Sequence, residues 1–187
     1  YRAGGLMLMN PIFLPGMTLD TLPVTQTTRY EKVSGIAEAV LAESKIRKGD
    51  TLVIASISGR NTVPVEMALW AKANGVNTVA LTSMNYSKDV SSRHSSGKKL
   101  YEVTDFVLDV MCPKGDAVLE IDGLPERTAP ASTISGVAIM HAVISETIAN
   151  LISSGITPPV FMSANLDGGD EHNRQMLEKY KEQIHYI

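Results

Sequence analysis

The sequence predicts an α/β fold, a three-layer αβα sandwich with a largely parallel sheet, on three observations. Runs rich in β-branched and apolar residues at 51–57 (TLVIASI), 76–82 (VNTVALT) and 105–111 (DFVLDVM) have the length and composition of strands, the first of them buried. Helical patterns stand between and after them, most plainly at 63–74 and 132–153. Strands that alternate with helices form βαβ crossovers, whose neighbouring strands run parallel and connect right-handedly. In such folds ligands gather at the C-terminal ends of the strands.

Each element has its own signal. Pro11, Pro15, Gly16 and Pro23 break any helix over 10–28 and predict a long loop with a short strand at 12–14. Val33, Ile36, Ala37, Val40, Leu41 and Ser44 recur at spacings of three and four, which predicts one amphipathic helix over 29–47, ended by Gly49. The helix over 63–74 is almost wholly apolar or small, with Val65, Met67, Ala68, Leu69, Trp70, Ala71 and Ala73, and should be buried on most sides. Residues 84–99 are polar and serine-rich, a loop with room for a short helix. A fourth extended run covers 117–121, and Asp122-Gly123 turns it. Residues 128–133 open the long helix, with Ser132 or Thr133 as N-cap. Pro158-Pro159 begins an extended segment, Asp167-Gly168-Gly169 turns it, and Asp170 caps a last helix whose buried stripe is Met176, Leu177, Tyr180 and Ile184.

Composition narrows the function classes. A chain of 187 residues with 44% hydrophobic and 20% charged residues fits one globular domain, 1–187, with a sizeable core. A net charge of −3 with scattered basic residues argues against nucleic acid as the partner. The nearest basic cluster, Arg93, His94, Lys98 and Lys99, reads as a solvated loop. Cys112 is the only cysteine, so neither an intrachain disulfide nor a cysteine-based zinc site can form, and a cytoplasmic location is expected. The apolar helix over 132–153 is interrupted by His141, Ser145, Glu146 and Asn150, so no membrane span and no membrane partner are expected. The opening Tyr1-Arg2-Ala3-Gly4-Gly5 looks like the last turn and stop of a helix, which suggests that the chain begins within a domain.

The chemistry concentrates at residues 56–62. Six of these seven residues, all but Ile57, either donate a side-chain hydrogen bond or relax the backbone: Ser56, Ser58, Gly59, Arg60, Asn61 and Thr62. They stand between a strand and a helix, where the first backbone N–H groups lack internal partners and the helix dipole favours an anion. A phosphorylated small molecule is the expected ligand. Helix capping alone also selects Ser, Thr and Asn, but a cap needs one such residue.

Ser56-x-Ser58-Gly59, followed by Ala68, Ala71-Lys72, Gly75 and a strand ending Thr82-Ser83, resembles the sugar isomerase (SIS) domain family, whose fold is flavodoxin-like. The similarity covers most of residues 29–155, and 156–187 looks like a C-terminal extension found in a bacterial subgroup. Asn61 departs from the usual Ser or Thr but keeps a donor. The resemblance implies phosphosugar binding, no cofactor, a homodimer or homotetramer, and a first strand, a glycine-rich loop and a glutamate-bearing helix ahead of Tyr1. Two subfamilies are close. His141 matches the mid-helix histidine of phosphoheptose isomerases, and Ser58-Gly59-Arg60-Asn61-Thr62 is similar to a motif of N-acetylmuramic acid 6-phosphate etherases.

An aldose–ketose isomerase needs a base that moves a proton between adjacent carbons, a group that handles the hydroxyl proton, and a phosphate anchor. His141 is the leading titrating candidate, because imidazole works near neutral pH; a core histidine is the alternative. Glu171 and His172, at a helix start, are the second choice. Arg60 suits a phosphate or a sugar carboxylate through its fork. Thr82 and Ser83 are placed to meet sugar hydroxyls or to form an ordinary strand-end turn, and Glu66 to complement the helix dipole. Four scattered histidines make no metal-ligand pattern. The expected function is sugar-phosphate isomerisation on a phosphorylated sugar or amino sugar, with an etherase or a non-catalytic sugar-phosphate sensor as alternatives.

Overall fold

The computed structural model describes residues 2–187. They form two compact units, Phe13–Ile139 and the segments Tyr1–Ile12 with Met140–Ile187. The first unit opens with a 3-10 turn at Val24–Gln26, then α1 (Thr27–Tyr30) and α2 (Ile36–Ala42). Next come β1 (Thr51–Ala55), α3 (Thr62–Ala73), β2 (Asn77–Thr82), α4 (Met84–Lys88), α5 (Leu100–Val103) and β3 (Phe106–Asp109). The chain continues through β4 (Ala117–Leu119) and β5 (Thr128–Pro130) into α6 (Ser132–Ser153), and ends with α7 (Gly169–Tyr180).

The fold is α/β with a parallel sheet flanked by helices, as a three-layer sandwich requires. β1, β2 and β3 lie side by side in that order, all parallel, with Val53 opposite Val79 and Val79 opposite Phe106. α3 is the crossover between β1 and β2. Its buried residues Val63, Val65, Met67, Ala68 and Ala71 are joined in the core by Leu52, Ile54, Ala80 and Leu81, so this helix is buried on most sides, as its composition requires. Asn61 is extended ahead of it, and Pro64 falls in the first turn, where a missing N–H leaves no intrahelical bond unmade.

Several local expectations are corrected. The helix over 29–47 is two short helices, because Ser34-Gly35 turns between them with Gly35 at φ +89°. Glu66 on α3 explains where the second begins. Its carboxylate accepts the Gly35 N–H at 2.9 Å and the Ser34 hydroxyl, which caps α2 from outside and starts it at Ile36. No strand forms at 12–14. β4 pairs antiparallel with β5, a strand cut from the segment read as the opening of the long helix. Neither hydroxyl at 132–133 caps that helix by itself: Asp116 accepts both the backbone N–H and the hydroxyl of Ser132, at 2.8 and 2.6 Å.

α6 also corrects the reading of its interruptions. Glu146 is the one Asp, Glu, Lys or Arg in it, and 22 residues of this composition are long and apolar enough to cross a membrane by length and composition alone. Only Ser132 and Gly136 are buried along it, while Ile134 and Val137 are exposed.

In the second unit Met7, Phe161 and Ile184 form a small core with Leu8, Met176, Leu177, Tyr180 and Tyr186 packed on it. Leu6 bridges Val160 antiparallel, and Gly5 and Arg2 close a turn at the start of the chain. The helix end read into residues 1–5 is this turn for the described residues, and Tyr1 lies outside them. The cap of α7 is Gly168, at φ +80°, and Asp170 falls inside the first turn.

Candidate functional site

Residues 56–62 leave the C-terminal end of β1 and enter α3, and their carbonyl groups decide their geometry. The Ile57 carbonyl accepts the Ser83 N–H and the Thr82 hydroxyl, each at 3.0 Å. The Ser58 carbonyl accepts the Ser87 hydroxyl at 2.8 Å, the Gly59 carbonyl the Leu100 N–H at 2.8 Å, and the Arg60 carbonyl the Arg93 N–H at 2.8 Å. Four successive peptides are therefore held by their oxygens. In a trans peptide the N–H points opposite to the C=O. The N–H groups of Ser58, Gly59, Arg60 and Asn61 thus face away from the residues that hold the turn, and no acceptor in the described residues meets them or that of Thr62.

The side chains follow the same division. The hydroxyls of Ser56, Ser58 and Thr62 make no hydrogen bond among the described residues, although Thr62 is only 7% exposed. Asn61, 6% exposed, does not cap α3; its Oδ1 accepts from Arg93 Nη1 at 2.8 Å and its Nδ2 has no acceptor. This separates the two accounts of the turn. Capping would have a side-chain oxygen of the turn accept a backbone N–H of the first helical turn, and no such bond is made. Gly59 is required as glycine: at φ +56° a Cβ would meet the Ser87 hydroxyl at 3.0 Å and the Leu100 Cβ at 3.2 Å.

Positive charge surrounds the turn. Arg60 donates through Nε and Nη2 to the Ser91 carbonyl and hydroxyl, at 2.9 and 3.1 Å, which fixes its fork beside the turn. The Lys99 ammonium is held by the carbonyls of Ser87 and Val90 at 2.8 and 3.1 Å. The loop that carries Arg93, His94, Lys98 and Lys99 is mostly exposed, as read, and it is also tied to the turn, through the Arg93 N–H on the Arg60 carbonyl and through Arg60 on Ser91. Arg93 and Ser87 are the residues that sequence reasoning missed. Their contacts with the turn span about thirty residues, and no periodic pattern announces them.

Among the expected site residues, Ser56, Ser58, Gly59, Arg60, Asn61, Thr62, Thr82 and Ser83 come together here. The hydroxyls of Thr82 and Ser83 are fully buried and already engaged, that of Thr82 on Ile57 and that of Ser83 on the Cys112 carbonyl at 2.6 Å, so they brace the turn. Glu66 faces α2, as described above. His141, Glu171 and His172 belong to the other unit. His141 is exposed on α6, which removes the core-histidine alternative. His172 Nε2 lies 3.0 Å from the Val160 carbonyl, the donor of a local strut. Glu171 is bound by Arg174, at 2.7 and 3.0 Å, and by Gln175, and its hydrogen bonds with these two hold its carboxyl below the usual range.

A strand-to-helix turn with unspent N–H and hydroxyl donors gives this α/β fold a geometry suited to an anion. The SIS domain family model matches residues 1–83, which include this turn. The whole chain is 48% identical to a UPF0309 protein of Oceanobacillus iheyensis, covering 76% of that protein. It is 46% identical to one of Shouchella clausii and 47% identical to one of Streptomyces coelicolor, again over all 187 residues and over 76% and 74% of those proteins. The chain belongs to the UPF0309 protein family and carries an N-terminal SIS domain.

Proposed function

We propose that residues 56–62 bind the phosphate of a phosphorylated sugar and that the protein isomerises that sugar. The observation that carries the binding is the set of unspent donors: five backbone N–H groups, three hydroxyls and the Asn61 amide at one helix N-terminus, with two of the side chains more than nine-tenths buried. An anion with several acceptor oxygens satisfies such a set with charge-assisted bonds, which are stronger than those a neutral ligand makes. The SIS domain match supports a phosphosugar as the ligand class.

For the reaction, His141 is the group we assign to proton transfer between adjacent sugar carbons. It rests on the likeness of its helix position to that of phosphoheptose isomerases, and its imidazole is open to solvent.

A thermal-shift screen of sugar phosphates against their unphosphorylated parents, repeated on Ser58→Ala, tests the binding. At a hundred times its dissociation constant a true ligand adds about 2.7 kcal/mol to stability. Stabilisation by phosphorylated sugars alone, lost in the variant, supports the site; no response from any of them overturns it. With a ligand identified, His141→Ala should abolish its turnover while leaving binding, and an unimpaired variant would remove His141 from the mechanism.

A further inference from the structure

Arg93 lies outside every motif, yet it holds the turn twice. Its backbone N–H donates to the Arg60 carbonyl and its guanidinium Nη1 to Asn61 Oδ1, both at 2.8 Å. A guanidinium has donors only, so the atom it meets must be the amide oxygen, and the amide NH₂ is left on the other branch. That matters because asparagine is ambivalent. Its carbonyl repels an anion and its NH₂ binds one, whereas a serine or threonine hydroxyl simply rotates to donate. Asn61 is 94% buried and its Nδ2 has no acceptor in the described residues; Thr62, beside it, is 93% buried with an unpartnered hydroxyl. Neither unpartnered atom is shut off from solvent although most of each residue is buried, so both donors stay open to a ligand that the chain does not supply.

We propose, resting on the reading of residues 56–62 as a phosphate site, that Arg93 is a positioning residue for it. Arg93 fixes the Asn61 amide with its oxygen turned away and its NH₂ turned to the bound oxyanion. Asparagine thereby does the work that a serine or threonine hydroxyl in its place would do by rotating. Its guanidinium also places a full positive charge one side chain from the anion. Arg93 and Asn61 therefore act as a coupled pair, and Arg93 is dispensable wherever residue 61 needs no orienting.

A double-mutant cycle on the full chain tests the coupling, with inorganic phosphate as the probe and calorimetric titration as the readout. Arg93→Met keeps the backbone bond and the aliphatic stem and removes the fork. Alone it should weaken phosphate binding about tenfold, and in the Asn61→Thr background less than about threefold. The melting temperature of the unliganded variants is read alongside, and Arg93→Ala replaces the methionine variant in the same cycle if that variant does not fold. An equal loss in both backgrounds assigns the effect to charge alone and overturns the proposal, as does no loss in either. If the unaltered protein binds phosphate and the cycle shows no coupling, only the role of Arg93 falls. If the unaltered protein binds neither phosphate nor any sugar phosphate, the site itself falls with it.

Discussion

The Ser87 hydroxyl donates to the Ser58 carbonyl at 2.8 Å, with Ser87 wholly buried, and this bond ties α4 to the turn that enters α3. It orients one peptide of the anion site without touching a ligand. Ser87→Ala leaves a carbonyl unsatisfied in a dry place, which costs about 1–3 kcal/mol. A lowered urea midpoint with unchanged slope is expected, together with weaker phosphate binding, since the Gly59 N–H is no longer held outward. Unchanged stability would mean that the turn keeps its shape without α4.

Gly59→Ala attacks the same turn from within. The positive φ alone costs an L-residue about 1–2 kcal/mol, and the new methyl group meets the Ser87 hydroxyl at 3.0 Å and the Thr82 hydroxyl at 3.3 Å. Both hydroxyls hold carbonyls of the turn, so neither withdraws freely. The variant should melt lower and lose phosphate binding altogether. Retained binding at full affinity would show that residues 58–60 are not the anchor.

How much of this was legible in the sequence depends on the range of the interaction. β1, α3 and β2 follow from local composition, because the β-branched runs and the small-residue helix are buried on nearly every side and have no other way to satisfy their backbones. The donors at Ser56, Ser58 and Thr62 were equally readable, since a residue type states what it can donate. What was hidden is what each residue meets. Residues 29–47 carry a helical stripe, yet the helix starts at Ile36 because Glu66, about thirty residues on, takes the Gly35 N–H. Thr128, Ala129 and Pro130 resemble a helix opening, yet they pair with β4, and Asp116 supplies the cap one residue-pair later. Arg93 gave no local sign of its bond to Asn61.

Asp105 joins β2 to the start of β3 and should make stability depend on acid. Its Oδ2 accepts the Thr78 hydroxyl at 2.7 Å and the Thr78 N–H at 2.9 Å, and Lys72 lies 3.4 Å from Oδ1. The Thr78 hydroxyl and then the Thr78 N–H hold its carboxyl below the usual range, burial opposes them, and Lys72 adds a lesser lowering effect. With the folded value depressed, the unfolded chain binds the proton more readily. The stabilisation is complete above the ordinary carboxylate range near pH 4 and is lost as pH falls through the lower folded value. Asp105→Asn should therefore lower the melting temperature at pH 7, and the gap from the unaltered protein should close as the pH falls below about 4. A gap independent of pH would assign the effect to hydrogen-bond geometry and not to charge.

Cys112 follows β3 at the sheet end that carries the site, only 3% exposed, with its carbonyl taken by Ser83. Burial pushes its thiol up from the ordinary value, and the nearby Asp116 carboxylate pushes in the same direction, so little thiolate exists at neutral pH and little of it is accessible. A thiol-specific reagent at pH 7.5 should leave the native chain unlabelled and label one thiol per chain once urea unfolds it. Because labelling then reports opening of the segment that Ser83 holds, a ligand seated on residues 56–62 should slow it. Ser83→Ala should accelerate it, by freeing the Cys112 carbonyl and with it the backbone that buries the sulfur. Rapid labelling of the native protein would place Cys112 in an accessible, mobile segment and would separate the end of β3 from the rigid part of the site.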